Sequence, residues 1–204
     1  MQPGLRERKK QAARQRISDV ATDLFIERGF DNVTLAEIAE VAGFSKVTVF
    51  NYFPRKEDMF LDRQGDAEKL LVDAIRERPA GQPVAEAVRA LMHRLLTERH
   101  ELSASLPAMA GFGRVIADSP VLRARAREIV DELQSAVAAQ LAEETGDAVK
   151  ADLVGRLLLA TITAVTITAS RRLIDGDAAA DVAADQVGVI DHAFDLLSSG
   201  LGTL

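Results

Sequence analysis

Apolar residues recur along this chain at helical spacing, and nowhere with the strict alternation of a half-buried strand. Ile17, Val20, Ala21, Leu24 and Phe25 fall at i, i+3, i+4, i+7 and i+8, lining one face of a helix over about residues 8–28. Gly29 ends it. Thr34-Leu35-Ala36-Glu37 then reads as a capping box, in which the Thr34 hydroxyl takes a free amide and Glu37 reaches back. It opens a short helix with Leu35, Ile38, Ala39 and Ala42 inward, broken by Gly43. Ser45 is suited to cap a second short helix, which Pro54 ends after Phe53. A long helix is expected over about 55–78, then others over 83–99, 102–117, 120–145, 149–174 and 179–198. Pro79-Ala80-Gly81-Gln82-Pro83, Ser119-Pro120, Gly146 and Gly176 mark the main breaks. The expectation is an all-α protein of about nine helices. A three-helix module over 1–55, with 1–9 a flexible basic arm, precedes a helical body over 56–204.

Charge sharpens that division. The 204 residues carry a formal net charge of −6. Residues 1–60 hold ten Lys/Arg against nine Asp/Glu, net +1, and the remainder hold fifteen against twenty-two, net −7. Arg6, Arg8, Lys9, Lys10, Arg14 and Arg16 face only Glu7 among the first sixteen residues. A basic end on an acidic protein suits a polyanion touched at one place, although a solvated tail would look the same. The chain has no cysteine, which excludes disulfides, thiolate nucleophiles and cysteine-bound metals. No uninterrupted apolar run reaches about 18 residues and no apolar segment follows the basic end. A cytoplasmic protein without membrane partner is therefore expected.

Two short helices joined by a tight glycine turn, braced by a longer one, form the helix-turn-helix pattern. Its second helix must enter the major groove, so it needs few inward anchors and several outward groups. Lys46 through Phe53 meets that demand: Val49 and Phe53, at i and i+4, can face inward, leaving Lys46, Val47, Thr48, Asn51 and Tyr52 outward. Phe50 suits either core or groove. Thr34 and Ser45 would cap helices in any protein, whether or not they also touch DNA.

Phe25-Ile26-Glu27-Arg28-Gly29-Phe30, Thr34 through Gly43, and Thr48 through Glu57 together resemble the N-terminal signature of the TetR family. The resemblance covers roughly residues 10–60; beyond that only the helical layout is similar. It implies that Thr34, Tyr52 and Lys56 grip phosphates and that Lys46, Val47, Thr48, Phe50 and Asn51 face the groove, with Ser45 at the start of the reading helix. Phe50 stands where the family often has tyrosine, so a hydroxyl donor is missing there. Side-chain chemistry agrees in part, since lysine can donate to guanine, asparagine can pair with adenine, and valine or threonine methyls suit thymine.

The resemblance further implies a homodimer on a pseudo-palindromic operator, released when a small effector binds the helical body. Wide apolar stripes near 149–174 and 179–198 suit a four-helix interface, with Leu158, Ile162, Val165, Val187, Ile190 and Phe194 as its expected residues. The same stripes could instead face their own core. Phe60, Arg63, Met92, Leu96, Met109, Phe112, Ile116 and Thr161 are candidate pocket residues for a largely apolar effector of unknown identity. Thr161 and Thr166 could equally bond their own helix backbone. His93 and His100, seven apart, lack the spacing and third partner of a zinc site, so no metal or cofactor is expected. Arg123, Arg125 and Arg127 alternate with alanine and read as a solvated face.

No nucleophile elbow, phosphate loop or metal motif argues for an enzyme. The competing readings are an activator, which would use the same reading head, and a ligand-independent DNA-binding protein. The acidic body argues against a purely architectural role.

Overall fold

A computed structural model describes residues 4–200, and every element among them is helical. The ten α-helices are α1 (Leu5–Arg28), α2 (Leu35–Ala42), α3 (Lys46–Tyr52), α4 (Glu57–Phe60), α5 (Gln64–Arg76), α6 (Val84–Thr97), α7 (Met109–Asp118), α8 (Pro120–Thr145), α9 (Ala148–Asp175) and α10 (Ala179–Ser199). The chain forms two compact units. One runs to Arg63 and includes Val115–Ala126; the other comprises Gln64–Arg114 and the chain from Arg127.

The first unit is organised by α1. Ile17, Ala21, Leu24 and Phe25 are buried along it, and α1 packs on both α2 and α4. Phe25 carries the corner: its ring lies 4.9 Å from Phe30, tilted, and 5.7 Å from Phe60 in a T-shaped contact. Residues 5–9 are the first turns of this helix, so the flexible arm expected there is absent over that stretch; Met1–Pro3 lie outside the described residues. A run dense in Arg and Lys retains good helix propensity, and nothing in it breaks the helix.

The long helix expected over 55–78 is divided. Four residues of α4 end at Leu61, and α5 starts at Gln64. Ser18 of α1 meets the break: its hydroxyl lies 3.0 Å from the Met59 carbonyl oxygen and 2.6 Å from an Asp62 carboxylate oxygen. Burial pushes the Asp62 carboxyl above its ordinary range, while the Ser18 hydrogen bond and Arg63 and Arg14 oppose the shift. A second departure lies in the Val115–Ala126 segment. Arg125 is buried there, not solvated, and its Nε donates to Asp58 of α4 at 2.7 Å. Arg123 is half-buried and donates to the Ala117 carbonyl at the surface, whereas Arg127 is exposed.

The second unit is built on α5, α6, α8, α9 and α10. Leu71, Ile75, Val88, Leu91, Leu95, Val137, Leu141, Leu158, Leu159, Ile190 and Phe194 form its main core. Gly155 of α9 lets α8 approach closely, since a Cβ there would stand 3.3 Å from the Gln134 carbonyl oxygen. Ala104, Ala169, Leu173 and Val182 form a smaller cluster, with Met109 packed against it. The stretch expected as one helix from 102 is a 3-10 turn, Glu101–Ser103, followed after a gap by α7. By length and composition α9 is apolar enough to cross a membrane, which uninterrupted-run counting did not flag. Threonines break the run without charging it. Those at 161, 166 and 168 return their hydroxyls to carbonyls four residues back, each at 2.9 Å.

The raised Asp62 carboxyl favours the protonated form in the folded state, so its contribution is present at low pH and lost as pH rises through its folded pKa. Asp62→Asn keeps a hydrogen-bonding partner for Ser18 without the buried charge. Thermal denaturation should give the variant a higher Tm than the parent at pH 8 and a smaller advantage at pH 5. An advantage that grew toward low pH would reverse the assignment.

Candidate nucleic-acid interface

Two short helices cannot stand alone in water, so their ends and inner faces decide whether α2 and α3 exist. At the start of α2, Thr34 and Glu37 close the expected box. The Glu37 amide donates to the Thr34 hydroxyl at 3.3 Å, while the Thr34 amide and hydroxyl donate to the Glu37 carboxylate at 2.8 and 2.7 Å. Those bonds from Thr34 hold the Glu37 carboxyl below its usual range. Gly43 takes the left-handed conformation, φ 77°, that turns the chain out of α2. Ser45 then caps α3 by accepting the Thr48 amide at 3.0 Å.

The inner face of α3 rests on Val49, fully buried, and on Phe53 just past its end, 1% exposed. The outer face is unusual in being apolar and open. Val47 is 69% exposed and Phe50 54% exposed, with Lys46 and Asn51 exposed beside them. Phe50 is thus on the surface and no part of the core. Thr48 is half-buried, its hydroxyl 2.8 Å from that of Ser45. Tyr52 is half-buried at the end of the helix.

The far ends of both helices are closed from α1, which sequence spacing does not reveal. Arg14 donates to the Tyr52 carbonyl at 2.9 Å and its guanidinium stacks 4.0 Å from the Phe53 ring centroid. Arg16 donates to the Ala42 carbonyl, the last of α2, at 2.8 Å. Each arginine satisfies an orphan carbonyl where the helix dipole is negative.

Lys56 makes its contacts within the protein. Its ammonium donates to the Phe30 and Val33 carbonyls at 2.6 and 2.8 Å and lies 4.1 Å from the Phe30 ring centroid. Burial lowers its pKa, partly opposed by Asp31, Glu57 and Glu37. The group expected to grip a phosphate is engaged in tying the turn after α1 to the start of α4. Thr34 is likewise committed, its hydroxyl both accepting from and donating to Glu37.

The remaining candidates distribute as follows. Leu158, Val165, Ile190 and Phe194 lie in the core of the second unit, and Ile162 is half-buried against it, so these are not a free face. Of the six expected interface residues only Val187 is exposed. The open apolar residues of α9 are instead Val149, Leu153, Leu157 and Ile167. A stripe wide enough to serve two sides looks alike from either, and intramolecular packing takes the larger share. The pocket candidates divide between the units. Phe60, buried on Phe25, and half-buried Arg63 and Ile116 belong to the first. Met92 and Leu96 flank the main core of the second, Met109 its smaller cluster, and Phe112 and Thr161 are half-buried there. His93 is 2.8 Å from an Asp191 oxygen that Arg89 also contacts, and His100 Nδ1 accepts the Leu102 amide.

Two short capped helices about a glycine turn, the second with two inner anchors and an open outer face, have the geometry of a helix-turn-helix. Residues 17–62 match the sequence profile of the bacterial regulatory proteins of the tetR family. Those residues take in the second half of α1 and all of α2, α3 and α4, and over them the chain is similar to that family. It is 28% identical to the HTH-type transcriptional regulator TcmR of Streptomyces glaucescens over 173 residues, 83% of this chain and 76% of that one. Among solved structures, Thermus thermophilus FadR, a repressor of the family in complex with lauroyl-CoA, is 25% identical with a TM-score of 0.55. The match covers 94% of this chain and 96% of that one. A putative family member from Syntrophomonas wolfei shares the fold at a TM-score of 0.61 and 18% identity, over 96% and 99% of the two chains.

Replacing Lys56 with alanine should leave two carbonyls without their charged donor and lower stability by about 1.5–3 kcal/mol. Denaturant unfolding reads this directly. An unchanged midpoint, with a weaker salt dependence of DNA binding, would instead return Lys56 to the phosphate-gripping set.

Proposed function

We propose that this protein is a TetR-family transcriptional regulator, a repressor that binds a pseudo-palindromic operator as a homodimer and leaves it when a small, largely apolar effector binds the helical body. The observation that carries the reading is the outer face of α3. Val47 and Phe50 are large apolar side chains held in water by a helix that has no need of them for packing. Single exposed apolar residues are ordinary, but two on one seven-residue helix beside Lys46 and Asn51 suit a surface read against base edges and thymine methyls. Ser45 and Thr48, bonded to each other, close the start of that helix, and Tyr52 ends it, with Thr34 at the start of α2 in the same reading set.

Dimerisation is supported by α9. Val149, Leu153 and Leu157 recur every four residues and are all more than half exposed, at 74%, 57% and 56%. One side of α9 is buried within the protomer, and this second side suits its counterpart on another copy; Val187 of α10 is exposed as well. Two reading heads related by a two-fold axis would read half-sites about one DNA turn or more apart, multiplying the few base contacts that one head can make. Effector control is supported by the lauroyl-CoA complex of the Thermus relative. An effector can release DNA only by preferring the DNA-free conformation, and operator must then weaken effector binding by the same factor. The alternative of a ligand-independent architectural protein fits poorly with a net charge of −7 over residues 61–204.

Two experiments test the reading. Thr48→Ala and Asn51→Ala should each weaken binding to a duplex selected from a random library by about 1–3 kcal/mol. Binding to unselected duplex should hardly change, and equal losses on both would show that these side chains do not read bases. Leu153→Glu with Leu157→Glu should give a folded monomer by light scattering and circular dichroism. A variant that stayed dimeric would place the interface elsewhere.

A further inference from the structure

We infer that the exposed basic side of α1, formed by Arg6, Lys9 and Lys10, is a second DNA-contacting surface that holds backbone phosphates flanking the bases read by α3. The inference rests on the DNA-binding reading above and adds to it a contact that sequence matching does not assign.

At 3.6 residues per turn, Arg6, Lys9 and Lys10 fall within an arc of about 100° on α1. That arc coincides with the side that further along carries Ile17 and Leu24 into the core. In the first three turns nothing covers it: Arg6, Lys9 and Lys10 are all exposed, and none makes an ion pair among the described residues. The side is continuous with the reading head through its own arginines. Arg6, Lys10 and Arg14 form one row at four-residue spacing, and Arg14 ends that row on the Tyr52 carbonyl and the Phe53 ring. Lys9 and Arg16, seven apart, form a second row, which Arg16 ends on the Ala42 carbonyl. The basic cluster is therefore fixed to the C-terminal ends of both helix-turn-helix helices by hydrogen bonds and does not swing on a tether.

Distance and chemistry then select the partner. Eight residues of helix advance about 12 Å, so Arg6 lies roughly that far along the axis from Arg14. Phosphates recur about every 3.4 Å of axis along one DNA strand, so three cations over this span meet several of them. Three exposed cations with one acid, Glu7, beside them favour a polyanion over a protein surface, whose core contacts are depleted in lysine. The contacts are electrostatic and carry no base preference.

The arrangement contains its own control, because Arg8 lies on the opposite side of the same turn. The test measures full-length protein by fluorescence anisotropy on a 30-base-pair duplex of random sequence, over a series of salt concentrations. Arg6→Gln/Lys9→Gln/Lys10→Gln should reduce the slope of log Kobs against log salt by between about 2 and 3 per protomer. Arg8→Gln should leave the slope unchanged, and preference for a library-selected duplex over the random one should survive in both variants. An unchanged slope in the triple variant overturns the inference. So does an Arg8→Gln loss equal per charge, which would mean a diffuse field in place of contact. Parent protein that showed no salt-dependent binding to either duplex would instead bring down the DNA-binding reading itself.

Discussion

The carbonyls at the ends of α2 and α3 set the terms for the DNA-binding module. Helices of eight and seven residues leave about half their backbone acceptors without an internal partner, and burial of one face is what makes them persist. Here the deficit is met from outside. Arg16 closes α2, Arg14 closes α3, and Lys56 closes the turn that delivers the chain from α1 to α2. Each cation donates to a carbonyl already polarised by its helix or turn, Arg16 and Lys56 in a partly desolvated setting and Arg14 at the surface, and charged donors are stronger than neutral ones. Remove this scaffold of cations, and the apolar anchors Val49 and Phe53 would hold helices with frayed ends.

The basic residues of the N-terminal region consequently divide into two populations that a charge count merges. Arg14, Arg16 and Lys56 point inward to backbone oxygen, whereas Arg6, Lys9 and Lys10 remain open. Arg125 repeats the inward theme at the other side of α4, reaching Asp58 from the segment at the start of α8. Positive charge in this unit is thus as much a structural material as an attractant for polyanions.

Local signals proved the most legible. The capping box at Thr34, the turn at Gly43, the Ser45 cap and the inward pair Val49 and Phe53 depend on residues at most four apart, and sequence expresses them directly. What depends on a partner far along the chain was hidden. Lys56 and Arg125 look like surface cations until the fold brings Phe30, Val33 and Asp58 to them. The break between α4 and α5 is set by Ser18, some forty residues away, with no proline or glycine at positions 61–63 to announce it. On α9 and α10 the apolar stripes were visible, but not which half was taken by the protomer. Leu158, Val165, Ile190 and Phe194 went to the core, and Leu153 and Leu157 stayed outside.

The division of labour along α3 has a consequence for how such a protein can change. Val49 and Phe53 hold the helix, Ser45 and Arg14 close its ends, and Lys46, Val47, Phe50 and Asn51 hold nothing. Substitutions at these four positions leave the packing of the unit untouched, so stability filters them only through helix propensity. Duplicated copies of the gene could drift to new target sequences through folded intermediates at every step. A designer recoding the same helix would have four positions to vary without touching its anchors, so long as proline and glycine are left out.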